Sequence, residues 1–233
     1  MFQAIKARYI ITPNQSFLTN SAVIINNNII SEIIPNYQLA KKKYKVIDLK
    51  NSVLLPGFIN SHVHLELHWT QKLLNPFNSF PDWLNQIISL KKNFDNSKIS
   101  NSVKKGLEES LNSGVTTIGE ISSYDGLDYK PIIKSGIRTA YFYEIANSTI
   151  SNINSKFLQG LLQNTNSLFN LKIFPHSIYS LDTRSLKKVL AFAKKHHTQL
   201  GIHLSESVDE INYAMKKKNN LEDKVFSKFN SKP

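Results

Sequence analysis

The chain has 233 residues, 41% of them hydrophobic and 20% charged, with a formal net charge of +12; this excludes a disordered chain and leaves room for one large domain or one and a half ordinary ones. It contains no cysteine, which excludes disulfides and thiolate metal sites and makes a reducing, cytoplasmic setting the expectation. No apolar run reaches the roughly 18 residues of a membrane span, and the opening MFQAIKARYIITPNQ lacks the apolar stretch and cleavage site of a signal peptide.

The positive charge is carried almost wholly by lysine: only Arg8, Arg138 and Arg184 are arginines among 29 basic residues. Nucleic-acid readers lean on arginine for bidentate contacts. Abundant Lys, Asn and Ile instead point to an AT-rich coding bias. Clusters such as Lys41-Lys42-Lys43 and Lys216-Lys217-Lys218 fall in polar, solvated stretches. Neither a nucleic acid nor a membrane is expected as partner.

Along the chain, residues 1 to 55 are short β-branched strands broken by Asn, Pro and Ser, a small β unit with no helix. The triple Asn at 26 to 28 suits a hairpin turn, because Asn tolerates positive φ. Strands then alternate with helices. VLLPGFINSHVH (53–64) is a strand running into a long loop, and PDWLNQIISLKKNF (81–94) has helical spacing. A second helix covers 97–114 and ends at Gly114. Strands follow at 115–123, 137–147, 171–180 and 199–207. Helices lie between them at 130–136, 151–167 and 182–197, the last opening on Asp182 or Thr183 as a cap, and a final helix starts near residue 207. Five strand–helix units imply a parallel sheet with right-handed crossovers. A (β/α)8 barrel has eight such units and carries its chemistry at the C-terminal strand ends.

The histidines fall at those ends. His62 and His64, two apart on a strand, point to one face. Glu66 continues that parity where the chain is leaving the strand. His176 ends the fourth strand in FPHSIYS, and His203 ends the fifth in GIHLSES, three residues before Glu206. In a barrel these ends converge. Three imidazoles would then be free to hold Zn2+ or Fe2+, a fourth would stand near a substrate, and a carboxylate would be suited to proton transfer. An isolated HxH is more often a hydrogen-bonded core pair; the joint pattern carries the metal reading. Glu206 alone would be a charge favoured by a helix N-terminus. His68, His196 and His197 are taken as surface residues.

PGFINSHVHLEL, HSIYS and GIHLSES together resemble the amidohydrolase superfamily, and most closely its aminohydrolase and chlorohydrolase branch of cytosine-deaminase-like metal-dependent hydrolases. The family motifs PG-x-x-(N/D)-x-H-x-H, H-(A/S)-x-(Y/F)-(S/T) and H-x-x-E occur in that order. The chain departs from the common pattern at Ser177 and Ile178, where Ala-Pro is usual. HLEL and PDWLNQIISLKK resemble the group of aminodeoxyfutalosine deaminases, which act in the alternative menaquinone pathway. The resemblance implies the N-terminal part of a (β/α)8 hydrolase barrel, with 1–55 as part of a small β-sandwich and 56–233 as the first half of the barrel.

It further implies one divalent metal, Zn2+ first and Fe2+ second, held by His62, His64 and His203. His176 would contact the substrate or its leaving group, and Glu206 would shuttle the proton. The implied activity is hydrolytic deamination of an amino-substituted N-heterocycle, an adenine-type nucleoside such as aminodeoxyfutalosine. Thioadenosine or adenosylhomocysteine deaminase, guanine deaminase and chlorohydrolase are the alternatives within the branch. An inactive fragment or a basic binding protein is the alternative outside it. Trp83 and Glu144 are candidate substrate-binding residues. Trp69 and Phe80 are candidates too, although core packing is the commoner role for the aromatics. A homodimer is expected of the full-length enzyme. A histidine ending a sixth strand and an aspartate ending an eighth are also implied and are absent from the 233 residues, so the chain is expected to be a fragment that folds poorly alone, binds metal weakly and is inactive.

Overall fold

The computed structural model describes residues 2–92 and 95–226. They divide into two compact units, Met1–Gly57 and Phe58–Pro233. The first is a five-stranded sheet built from β1 (Phe2–Ile11), β2 (Phe17–Asn26), β3 (Ile29–Pro35), β4 (Lys45–Asp48) and β5 (Val53–Leu54). β2 pairs antiparallel with β1 and β3, while β4 and β5 lie parallel to β1 at successive positions. The hairpin at Asn26 to Asn28 turns on Asn27, at φ 57°, the left-handed conformation that Asn accepts. Ala4, Ile24 and Ile34 form the small core, with Leu39 and Tyr44 packed against it. Leu39 belongs to a 3-10 turn at Asn36–Lys41. The expectation of a helix-free β unit is corrected there: Pro35 ends β3 because it has no N–H for the ladder, and the chain coils once.

The second unit carries β6 (Phe58–Val63), β7 (Val115–Ser122), β8 (Arg138–Ile145) and β9 (Phe169–Pro175) as a parallel sheet in that order. Its helices are α1 (Phe80–Lys91), α2 (Asn96–Asn112), α3 (Tyr129–Ser135), α4 (Lys156–Gln163), α5 (Thr183–Lys195) and α6 (Val208–Ala214). This is the α/β architecture of a (β/α)8 hydrolase barrel, entered from its first strand. The outward residues of the sheet, among them Ile118, Tyr141, Tyr143, Phe169 and Ile173, bury against Val103, Ile132, Leu158 and Val189 of the helices. Burying side chains of this size contributes about 1.5–3 kcal/mol each, which is why the strands read as period two and the helices as period 3.6.

Two glycines set the geometry of β6 and β7. Gly114 follows α2 at φ +81°, a conformation that side chains rarely adopt. A Cβ on Gly119 would lie 2.2 Å from the Ser61 carbonyl oxygen, so only glycine lets β7 approach β6 that closely.

Several boundaries differ from the sequence reading. The single strand expected at 53–64 breaks into β5 and β6 at Pro56-Gly57, which falls between the two units. The helix expected at 151–167 is a 3-10 turn, Asn147–Asn154, followed by α4, because Ser155 caps a new helix by accepting from Leu158 N–H. The strand expected at 199–207 is present only as parallel bridges of Leu200 to Ile173 and His203 to Ser177. Among the described residues it pairs along one side alone. The final helix is α6, followed by a short π-turn at Glu222–Phe226. Asp182 caps α5 as expected, accepting from Ser185 N–H at 2.7 Å. The expected helix end at residue 94 lies outside the described residues. No described helix is long and apolar enough to cross a membrane.

Candidate metal centre

Strand parity sends His62 of β6 inward, and His64 follows at the strand end. A 3-10 turn at Leu65–Thr70 begins immediately, with His64 at φ −117° and ψ 83°. Leu65 N–H donates to both carboxylate oxygens of Glu120, at 3.1 and 3.2 Å, and so fixes the exit. His203 arrives from the other side of the sheet, its N–H donating to the His176 carbonyl at 2.9 Å. The three rings converge, with centroids 5.3 Å apart for His62–His64, 5.0 Å for His62–His203 and 5.4 Å for His64–His203. One ligand atom from each lies within 4.8 Å of the others.

The donor set suits a divalent cation. Burial, then the neighbouring His203, lowers the pKa of His62, and burial brings His64 down to about 4. Both rings are therefore neutral at ordinary pH and keep a lone pair for a metal. His64 Nδ1 is buried with no hydrogen-bond partner among the described residues; an orphan of this kind is costly unless something fills it. His203 Nδ1 lies 2.9 Å from Glu206 Oε1. A carboxylate only accepts, so the His203 proton sits on Nδ1 and its Nε2 lone pair is free, an arrangement that recurs around metal-bound histidines. The hydrogen bond from His203 outweighs burial and holds Glu206 below the usual carboxylate range.

A cavity of about 850 Å³ opens over these rings. His176, Glu206, Trp83, Glu144 and Phe80 all line it. Trp69 instead packs against the main core. Burial pushes Glu144 above its ordinary value and brings His176 down to about 3. Glu144, His176 and His203 form a second group of potential ligand atoms within 4.8 Å. His68 pairs with Glu109 at 2.9 Å and His196 stacks on Phe192, both away from the cavity.

Sequence reasoning missed Lys91, Asn147, Tyr179, Ser180 and Phe226, which also line the cavity. It also missed a buried carboxylate cluster of Glu66, Glu120 and Asp128, each at most 1% exposed. Glu66 Oε1 accepts from Ser123 N–H at 2.7 Å and Ser123 Oγ at 2.6 Å, and Lys91 Nζ donates to Ser123 Oγ at 2.6 Å. Burial pushes Glu66 upward, but hydrogen bonding with Glu120 and the charges of His64 and Lys91 outweigh it and hold Glu66 low. Burial, then the Glu66 charge, raises Glu120 well above its ordinary value and Asp128 to about 7. The one sequence signal was Glu120, the single charge in the strand VTTIGEISS.

Comparison with known proteins places the chain in a family. The chain is 31% identical over 212 residues to an aminodeoxyfutalosine deaminase of a Nitratiruptor species, covering 87% of this chain and 51% of that protein. It is 29% identical over 223 residues to a 5-methylthioadenosine/S-adenosylhomocysteine deaminase of Caldicellulosiruptor saccharolyticus, covering 91% and 51%. The chain thus spans about half the length of the curated relatives it matches. Among solved structures, the aminofutalosine deaminase of Helicobacter pylori superposes with TM-score 0.79 at 22% identity, over 98% of this chain and 56% of the other. A zinc-bound adenosine deaminase from Xanthomonas campestris gives 0.78 at 15%, over 95% and 54%. These two likenesses show the fold. The amidohydrolase family model matches residues 53–227, a span that holds all three converging histidines, and the chain belongs to that metal-dependent family.

Proposed function

We propose that this chain supplies the metal-binding and proton-transferring half of a hydrolytic deaminase that acts on an adenine-type nucleoside. In this reading residues 1–55 are part of a β-sandwich and residues 56–233 the first half of the barrel. The observation that carries it is the convergence of His62, His64 and His203 with Glu206 bonded to His203 Nδ1. Held by the three imidazoles, a divalent ion, zinc first and iron(II) second, lowers the pKa of water from 15.7 to about 7.

The chain's own residues do the rest. Glu206 is ionised and keeps one oxygen on His203. Its other oxygen takes a proton from the attacking water and passes it to the ring nitrogen beside the amino-bearing carbon; once the water oxygen has bonded to that carbon, Glu206 moves that oxygen's second proton to the amine, which leaves as ammonia as the carbonyl forms. His176 is neutral and contacts the heterocycle or the leaving group. Trp83 and Phe80 supply aromatic surface for a flat base. Glu144 offers a hydrogen-bonding carboxyl to the remaining polar groups of the substrate.

Among substrates, aminodeoxyfutalosine comes first, because the relative at 31% identity deaminates it. 5'-Deoxyadenosine and methylthioadenosine or adenosylhomocysteine follow, the substrates named for relatives at 27% and 29%. The test is ammonia release from this panel plus guanine and adenosine, by full-length protein carrying these residues and by its Glu206→Gln variant. Turnover of an adenine nucleoside that is lost in Glu206→Gln is expected. Deamination of guanine alone, or full activity in Glu206→Gln, would refute the proposal.

A further inference from the structure

The segment after β9 holds an arrangement that none of the roles above requires. His176 Nδ1 faces two hydroxyls, Ser180 Oγ at 2.8 Å and Ser177 Oγ at 3.0 Å. The ring's backbone is pinned from both sides, its N–H on the Ile145 carbonyl and its carbonyl on His203 N–H, each at 2.9 Å. Ser177 is fully buried. Ser180 lines the cavity beside His176.

Proton counting and distance together point to the ring nitrogen that carries hydrogen. A hydroxyl oxygen has one proton and two lone pairs. Ser180 Oγ accepts from Ser177 N–H at 3.1 Å and from the Ser177 hydroxyl at 2.9 Å. Both lone pairs are then used, and its own O–H must donate. Two acceptors are in reach: the Ser177 carbonyl at 3.2 Å and His176 Nδ1 at 2.8 Å. The nearer is the ring nitrogen. An imidazole that accepts at Nδ1 and is neutral carries its proton on Nε2. His203 is the opposite case, because its Nδ1 faces a carboxylate that can only accept.

We propose that Ser177 and Ser180 are a positioning pair that fixes His176 as the Nε2–H tautomer, so that the cavity meets a neutral N–H donor there and not a free lone pair. The pair thereby divides four neighbouring imidazoles by task. His203 presents a lone pair towards His62 and His64, while His176, 5.2 Å from it between ring centroids, is kept out of the metal's ligand set. His176 would then recognise an acceptor atom on the substrate, a ring nitrogen or an oxygen. This inference rests on the proposed deaminase only for the identity of that acceptor; the tautomer is a property of the chain alone.

The test is long-range proton–nitrogen NMR of the full-length protein carrying these residues, labelled with 15N at histidine, with His176→Asn assigning the resonances. The protonated and bare nitrogens of a neutral imidazole resonate far apart, so the tautomer is read directly and without any activity. The wild type is expected to show Nε2–H at His176. Ser180→Ala is expected to shift the ring towards Nδ1–H or a mixture, and Ser180→Thr, which restores the hydroxyl, to return it. In a protein that turns over substrate, Ser180→Ala is expected to lower kcat/KM by about 10- to 100-fold, with Ser180→Thr recovering it. An Nδ1–H tautomer in the wild type overturns the inference, as does an unchanged Nε2–H tautomer in Ser180→Ala. If Ser180→Ala fails to fold, the wild-type resonances decide alone. Lack of deaminase activity beside the expected tautomer would count against the proposed reaction and leave this inference standing.

Discussion

Replacing Asp128 with Asn should flatten part of the chain's stability profile with pH. Asp128 is buried, accepting from Tyr141 Oη at 2.6 Å and Ser122 Oγ at 2.8 Å. Burial and the Glu66 charge raise its pKa from 3.8 to about 7. An acid whose folded pKa is raised holds its proton more tightly when folded. Stability is therefore highest below about pH 4 and falls as the pH rises towards 7, where the native carboxyl at last ionises. Three pH units at about 1.36 kcal/mol each make this loss about 4 kcal/mol. Asn keeps the acceptor oxygen for Tyr141 and Ser122 and cannot ionise. Urea unfolding of both proteins at steps from pH 4 to 8 measures the effect. The difference between them should grow in favour of Asp128→Asn from pH 4 to about 7 and level off above it. The Asp128 charge also helps to raise Glu120, so its removal relaxes Glu120 as well and adds to the difference in the same direction. Parallel profiles would refute the reasoning, since they would mean that Asp128 is ionised in the fold at the same pH as in the unfolded chain.

Other predictions follow from the same geometry. Glu206→Gln retains an oxygen for His203 Nδ1, so zinc affinity by calorimetry should change by less than about 100-fold, while ammonia release falls by about 10²- to 10⁴-fold. Zinc at about 100 times its Kd should stabilise the chain by about 2.7 kcal/mol, and His64→Ala should abolish that gain in a thermal melt. Asp182→Ala removes the acceptor for Ser185 N–H at the start of α5 and should cost about 1 kcal/mol in urea unfolding.

The histidine pattern was legible because strand parity and strand ends are written in the sequence with period two. His62 and His64 needed only their spacing, and His176 and His203 only their places after apolar runs. The buried carboxylates were not legible. Glu66, Glu120 and Asp128 come from a turn, a strand and a loop 54 and 8 residues apart in sequence, and each charge taken alone suits a solvated position. The outer strand was overcalled for a related reason. GIHLSES has strand composition, but among the described residues it meets β9 only at two isolated bridges, Leu200 to Ile173 and His203 to Ser177, too few to form a continuous ladder. The Asn147–Asn154 turn was folded into its neighbouring helix because a 3-10 turn and an α-helix share apolar spacing over so few residues.

The two faces of the sheet turn out to depend on each other at one residue. Leu65 follows His64 and points away from the cavity, into the main core. Its N–H is held by Glu120 of β7 and its carbonyl accepts from Ser102 Oγ of α2 at 2.9 Å. Ser102 Oγ in turn accepts from Trp69 N–H at 3.0 Å. The helix layer therefore clamps the backbone on which His64 stands. His203 is held quite differently, by its backbone bond to His176 and its ring bond to Glu206. Imidazoles locked from two independent directions lose little freedom on closing around an ion, and a ligand set gains affinity by such prior ordering. The carboxylate cluster thus acts on the three-histidine site through Leu65.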